Sequence, residues 1–489
     1  MSDDNAEARV IAELRSATGA LPAGARLPSV RELMARHRAS PLTVQRAVAR
    51  LAAEGLVEPR PGRGTFVAAP EDGGGVPDAE PEADLGWQSV ALGAAPAGGR
   101  ELQALLALPQ PGAIALSGGY LEPALQPLGA LGAALARAAR RPGAWERGPA
   151  GGREELRAWF ARGAGGLYGP SDVVVCPGAQ GALATAFRAL ATPGETVLME
   201  APTYLGAIAA ARAAGLRVVP VPSDAGGVRD DLLAAALDRT GARLVYLQPL
   251  YANPHGATLA AGRRAPVLDA VRRAGAFLVE DDWARDLLID ADPPAPLAAD
   301  DPGAHVVHVR SLTKVAAPGL RVGALAARGP AAERLRIARL IDDFYVSGPL
   351  QEATLELVSS PGWARHLRAL RAGLRARRDA LLAAIAEHLP HLPAPAAPGG
   401  GLHVWLTLPA GTDDAALAGD AAAAGVVVSP GRPFFAAEPP GAHLRLTFGA
   451  APPAALTEGV RRLAGVLRAA GQTIVATTPP STDQAAPVT

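Results

Sequence analysis

Lysine is almost missing from this chain: Lys314 stands alone among 489 residues, against 46 arginines. A guanidinium, with a pKa above about 12, keeps its proton, so the bias removes nearly every side-chain amine that could act as nucleophile or base. Cysteine is as scarce, with Cys176 the single example. That excludes a disulfide framework and any multi-cysteine metal site, so no metal is expected, and it suits a reducing cytoplasm. Aromatics make up only 4% of the residues, so a core must rest on Ala, Leu and Val. No apolar run approaches about 18 residues without a charge or a Pro/Gly break, so no membrane span is expected. The opening "MSDDNAEARV" is acidic and polar and does not read as a signal peptide. Net charge is absent too, at zero, which argues against a nucleic-acid partner until the distribution of charge is considered.

What is present is unevenly spread. From Arg26 to Arg63 there are eight Arg against three Glu, while from Glu71 to Asp84 there are six acids and no base. The acidic stretch, "APEDGGGVPDAEPEAD", is too poor in apolar residues to fold alone and reads as a linker. The boundaries expected are a basic head over 1–69, a linker over 70–100, a main body over 101–473 and a disordered tail over 474–489. In the body, short valine- and leucine-rich runs ("DVVVCP", "ETVLME", "LRVVPV", "RLVYLQP", "AFLVEDD") alternate with alanine-rich helical stretches. Such alternation predicts a mostly parallel α/β sheet covered on both faces.

The head parses into elements. "SVRELMARH" reads as a short helix, and Ser40-Pro41 as the N-cap and first residue of a second, "LTVQRAVARLAAEG". Val44, Ala47, Val48 and Leu51 make one buried stripe, and Thr43, Gln45, Arg46 and Arg50 are expected to face solvent. Gly55 closes that helix, and "LVEPR" and "GTFV" form two strands joined by a "PGRG" turn. A helix–turn–helix followed by a hairpin tipped by Arg63 is a winged helix-turn-helix. A solvated helix pair used only for dimer contacts is the alternative. Residues 5–68 resemble the DNA-binding domain of GntR-family regulators, although Pro41 and Gln45 stand where family members often have arginine. The resemblance implies a double-stranded DNA operator, with the helix opened by Ser40 in the major groove and the wing at the adjacent minor groove. Arg31, Thr43, Gln45, Arg46 and Arg63 are the expected contacts, Gln45 to a base and the arginines mostly to phosphates.

Lys314 sits in "RSLTKVAAPGLRVG". A lysine that must lose its proton to form an imine cannot be replaced by arginine, although a biased chain could also keep one stray lysine. Ser311, read as one helical turn earlier, and Arg321 bracket the amine in a way that suits a phosphate on an aldehyde-bearing ring. The N–H groups of Ala179 and Gln180, at the start of a helix in "CPGAQGALATAFRAL", would cradle the same phosphate. Carboxylates end a strand in "FLVEDDWARDL"; one opposite a pyridine nitrogen would keep that ring protonated, while Asp281 and Asp282 could equally cap a following helix. Asn253 could donate to a ring oxygen, and Tyr204 could stack on the ring or belong to the core.

With these motifs in this order, residues 101–473 resemble a fold-type-I pyridoxal-phosphate aminotransferase of class I/II. The resemblance implies an α/β domain with a mostly parallel sheet and a smaller C-terminal α+β subdomain, joined into a homodimer. It implies pyridoxal 5'-phosphate as cofactor and Lys314 as its Schiff-base lysine. Asp281 would meet the ring nitrogen, Asn253 the phenolic oxygen, and Ser311, Arg321, Ala179 and Gln180 the phosphate. Arg445, in "HLRLTFG", matches the clamp for a substrate carboxylate, a surface-strand arginine being the alternative. Two residues depart from the family: Trp283 replaces the tyrosine that follows the aspartate, and Glu146 replaces a tyrosine that reaches the partner subunit.

A GntR-type head on an aminotransferase-like body is the architecture of MocR-type regulators. The resemblance implies a cytoplasmic regulator that senses an amine or amino-acid effector by aldimine exchange at Lys314. A working aminotransferase with a DNA tether, and a regulator that answers only to cofactor level, are the other readings. The loop Leu116–Pro127 holds no charge code for the effector, and Tyr120, Tyr251 and His255 are possible pocket residues.

Overall fold

In the computed structural model, residues 3–60, 63–68, 85–92 and 99–477 are described. The turn residues Pro61 and Gly62, the acidic stretch of the expected linker up to Asp84, and tail residues 478–489 lie outside them. The chain forms two compact units, Met1–Ala94 and Ala95–Thr489.

In the first unit three helices and a hairpin share one apolar core. The helix Asp3–Ala20 was not parsed from the sequence; its Val10 and Leu14 are fully buried against Leu33, Val44 and Leu51. The helix Val30–His37 opens on a capping box: the Glu32 N–H donates to Ser29 Oγ at 3.3 Å and the Ser29 N–H to Glu32 Oε2 at 2.7 Å. Two otherwise orphaned amides are thereby satisfied. The helix Pro41–Ala53 is capped by Ser40, whose Oγ accepts from the Thr43 N–H at 3.1 Å. Val57–Arg60 pairs antiparallel with Gly64–Val67, and Leu27 adds a third edge by donating its N–H to the Thr65 carbonyl.

Thr43 corrects the expected surface of the second of these helices. It is fully buried rather than solvent-facing, and its hydroxyl lies 2.7 Å from Ser40 Oγ. Position 43 is one turn before Ala47, so it belongs to the apolar stripe, and the cap satisfies its hydroxyl there.

The second unit holds an eight-stranded sheet. By first residue the order across it is Val173, Gly323, Val306, Phe277, Leu244, Thr196, Arg217, Gly227. The strands starting at Val306, Phe277, Leu244, Thr196 and Arg217 run parallel, while Gly323–Ala326 is antiparallel to both its neighbours. Both faces are covered. Val173 and Val175 point into one core cluster, Val174 and Cys176 into another. That explains why the strands read as continuous apolar runs rather than alternating ones. A smaller antiparallel sheet joins His403–Thr407, His443–Thr447 and Ser429–Pro430.

Three boundaries differ from expectation. Past Asp84 the acids stop and the text turns apolar, and Gly86–Leu92 is helical within the stretch expected as linker. A further helix, Gly99–Leu106, begins just before the expected start of the body. The final helix, Pro453–Thr477, runs four residues into the expected tail, where no proline interrupts it before Pro479. Among the described residues no helix is long and apolar enough to cross a membrane.

Candidate functional site

The carboxyl ends of the parallel strands converge, as open α/β sheets arrange their ligand sites. Asp281 ends one strand, Gln248 follows another directly, and Ser311 ends a third. Together with Ala179, Gln180, Tyr204, Asn253, Trp283, Lys314, Arg321 and Arg445 they line one cavity. Tyr120 lines it as well, whereas Tyr251 and His255 line a separate, larger cavity of about 910 Å³.

Lys314 follows the Val306–Ser311 strand on a turn. Ser311 is therefore a strand residue and not one helical turn before it, because the chain leaves the sheet there to meet the break at Pro318. Lys314 Nζ lies 3.8 Å from the centre of the Tyr120 ring. A Cβ at Gly119 would come within 3.2 Å of it, so a side chain there would push the Lys314 amine aside by a few tenths of an ångström. Withdrawal from water, then the positive charge of Arg445, lowers the Lys314 ammonium from the ordinary lysine range to about 7; Asp281 opposes that and Arg321 adds to it.

Asp281 is buried. Its Oδ2 accepts from Tyr246 Oη at 2.8 Å and from Gln248 Nε2 at 2.9 Å, while its Oδ1 has no partner. Burial raises its carboxyl to about 6 against the two hydrogen bonds. Asp282 points elsewhere, bonding Arg285 Nε at 2.6 Å and His308 Nε2 at 3.1 Å. Burial alone would raise it, but those partners hold it below the ordinary carboxylate range. Neither residue caps a helix, since a turn follows the strand.

Gln248 was missed by sequence reasoning. Its Oε1 accepts the Asn253 N–H at 2.9 Å, its Nε2 donates to Asp281, and its own N–H donates to Glu200 Oε1 at 2.6 Å. Burial pushes the Glu200 carboxyl up to about 8. The one signal available was a glutamine between an apolar strand and the "ANPHG" turn.

Arg445 is 1% exposed. It donates to Asn253 Oδ1 at 3.1 Å, to Ser429 Oγ at 3.3 Å and to the Ser117 carbonyl, with the Phe434 ring 4.8 Å away. Its Nε has no partner. Burial lowers the guanidinium to about 9, which leaves it charged at neutral pH. A surface-strand role is thereby overturned. Arg321 donates to the Pro177 carbonyl at 2.6 Å. A Cβ at Gly178, whose φ is +87°, would sit 2.9 Å from its guanidinium carbon. Gly178 thus admits Arg321 to the start of the helix Ala179–Leu190, whose first amides lack intrahelical acceptors. Tyr204 donates its hydroxyl to Gln180 Oε1 at 3.0 Å. Trp283 is buried with Nε1 unpartnered, and stacks on His403 with ring centres 5.7 Å apart.

In the head, Arg31, Ser40, Gln45 and Arg63 are exposed. Arg46 lies 3.4 Å from Glu7 of the first helix. Thr43, being buried, presents nothing to a DNA groove.

Residues 133–463 match the model for aminotransferase class I and II, and residues 4–67 match that for bacterial regulatory proteins of the gntR family. The chain belongs to the class I and II aminotransferases, with a gntR-family head. This is the arrangement of MocR-type regulators. It is 30% identical over 391 residues to the uncharacterized HTH-type transcriptional regulator YisV of Bacillus subtilis, covering 78% of this chain and 80% of that one. It is 33% identical over 359 residues to the 2-aminoadipate transaminase of Thermus thermophilus, covering 72% and 90%. Among solved structures, the α-aminoadipate aminotransferase LysN of Thermus thermophilus, complexed with N-(5'-phosphopyridoxyl)-L-leucine, superposes with a TM-score of 0.71. The two are 31% identical, over 77% of this chain and 98% of that one.

Pyridoxal 5'-phosphate is the cofactor of this aminotransferase family, and the cavity fits it. The orphaned Oδ1 of Asp281 offers a lone pair to a protonated ring nitrogen. The first-turn amides beside Arg321 offer donors to a phosphate, and Lys314 offers the amine.

Proposed function

We propose that this chain is a DNA-binding transcriptional regulator whose body senses an amine or amino acid at Lys314, working as a cytoplasmic homodimer. The observation that carries the reading is the pairing, in one cavity, of an amine lowered to about 7 with a fully buried, charged arginine, in a chain that also bears a gntR-family head. An amine near 7 is partly neutral at working pH and free to exchange; Arg445 supplies the grip for a carboxylate.

In this reading Lys314 is the attachment residue and Asp281 holds a proton on the ring nitrogen, kept in place by Tyr246 and Gln248. Asn253 faces the phenolic oxygen, with Trp283 at the ring's edge, and Tyr204 supplies a flat surface. Ala179, Gln180, Ser311 and Arg321 take the phosphate. When bound, the cofactor supplies an aldehyde carbon that captures amines and a ring that withdraws electrons. Arg31, Gln45, Arg46 and Arg63 contact the operator, with Ser40 fixing the start of the recognition helix. Exposed apolar side chains on and beside the helix Pro330–Asp343 support a homodimer: Ile337, Ile341 and Phe344 are 52%, 79% and 69% exposed.

A second reading, a working aminotransferase, is favoured by the same lysine, which at about 7 could also carry a proton between atoms of a bound substrate. One experiment separates the two. The cofactor-loaded full chain is titrated with amines and amino acids while the visible spectrum, keto-acid release and operator affinity are followed. A lasting spectral shift with a change in operator affinity and no keto acid supports the sensor. Stoichiometric keto acid makes it an enzyme, and no response to any amine removes both.

A further inference from the structure

The cavity's lining contains four ionisable side chains of the acid and strong-base kind: Asp281, Lys314, Arg321 and Arg445. The proposed function assigns each of them, to ring nitrogen, amine, phosphate and α-carboxylate. Among the described residues, no cation of the lining remains for a second carboxylate. Tyr120, Thr313 and His403 of the lining remain unassigned; Thr313 accepts from Ser311 Oγ at 2.9 Å, and of the three only His403 has a buried atom without a partner. His403 is 3% exposed, lines the same cavity, and its Nδ1 has no partner. An unsatisfied buried polar atom destabilises the fold, so its persistence at a ligand site points to a ligand.

Strand register places this imidazole beside the clamp. Trp405 pairs with Arg445 and His403 with Thr447, so His403 and Arg445 are diagonal neighbours on one face of the small sheet. Diagonal neighbours stand about 7–8 Å apart along the backbone, within reach of a single amino-acid ligand held by its carboxylate at Arg445. On its other side the ring is fixed by the stack on Trp283, with an interplanar angle of 25°. Burial, then the positive charges of Arg445 and Lys314, keeps His403 well below the ordinary histidine range, so it is neutral here. A neutral imidazole offers one N–H and one lone pair. It meets a group that both accepts and donates, and supplies no counter-charge to an anion.

Resting on the reading of Arg445 as the carboxylate clamp, we propose that His403 sets effector specificity. The effector is an α-amino acid whose side chain ends in a neutral hydrogen-bonding group, a carboxamide or hydroxyl, and dicarboxylic amino acids are rejected. Discrimination of this kind is large when a site's buried polar group would be left unpaired by the wrong ligand.

The test uses two ligand sets on the cofactor-loaded full chain. Glutamine, asparagine and serine are compared with glutamate and aspartate by visible spectrum. Succinamate is compared with succinate by calorimetry; these lack an amine and need no exchange at Lys314. The neutral member of each pair binds at least tenfold tighter in the wild type. His403→Phe, which keeps an aromatic ring on Trp283, brings the ratio to within twofold, and His403→Asn restores a preference of a few fold. A diacid that binds as tightly as its amide, or a ratio that survives His403→Phe, overturns the inference, as does binding by neither acid class. Should every amino acid leave the spectrum and operator affinity unchanged while succinamate keeps its His403-dependent preference, the sensing reading fails and His403 stands. Should the variants not fold, the wild-type ratios alone decide.

Discussion

Arg46 and Arg445 are the same side chain in two solvents. The first has half its surface in water and an acid, Glu7, at 3.4 Å. The second is 1% exposed, bonded only to neutral oxygens, and lowered to about 9. In water a cation is screened, paired loosely and exchangeable, which suits sliding along phosphates. In the cavity every charge acts at low dielectric, so each shifts its neighbours. Lys314 lines the same cavity as Arg445. The contrast teaches where a regulator can be specific for a small molecule and where it can only be attracted to a polyanion.

The largest effect tests the buried side. Lys314→Arg keeps the charge and removes the amine, so amine-dependent spectral change should vanish altogether while the head's binding to DNA stays within a factor of two. A retained spectral response would mean the amine is not the reacting group. Next comes Arg445→Leu, which should weaken carboxylate-bearing ligands about a hundredfold, roughly 3 kcal/mol, and leave simple amines nearly unaffected. Calorimetry with paired ligands reads the difference, and equal losses for both would break the clamp assignment.

A pH series is the third. The Lys314 amine titrates near 10.5 unfolded and near 7 folded. Between those values the unfolded state holds the extra proton, so stability of the cofactor-free chain should rise with pH across that window. Below 7 both states are protonated and the cost of the buried ammonium is fully present. Asp281, raised from 3.8 to about 6, works oppositely: the folded state holds the extra proton there, and stability falls as pH rises from about 4 to 6. Urea midpoints should show the upper slope in the wild type and lose it in Lys314→Met.

The smallest effects are in the head. Arg46→Ala should lower the slope of log K against log salt by about 1 per head. Glu7→Gln, by releasing Arg46, should tighten DNA binding by about twofold, and filter binding at two salt concentrations would detect both. No change from either would take Arg46 off the phosphate backbone.

The strands of the large sheet were legible because parallel strands buried on both faces print as apolar runs. Lys314, Asp281 and Arg445 were legible because each has a charge that must be explained. Gln248 was not, since its importance lies in joining three buried groups brought together by the fold. His403 reads in sequence as one more strand residue in "GGLHVWLTLP". Thr43 was misplaced because a threonine beside a stripe looks polar until the cap that satisfies its hydroxyl is seen. Ser311 kept its place near Lys314 but on a strand, because a spacing of three residues cannot tell a helical turn from a strand end.

A chain with a single lysine, set half-buried against Tyr120 and Gly119, has consequences outside its own chemistry. Acetylation, ubiquitin-type tagging and glycation all act on lysine side chains, and here they have only one address. On the proposed reading, a cell that modified it would silence ligand recognition in the same stroke. For the experimenter, the same scarcity makes any reductive capture of a bound aldehyde a one-site label, readable as a single shifted peptide.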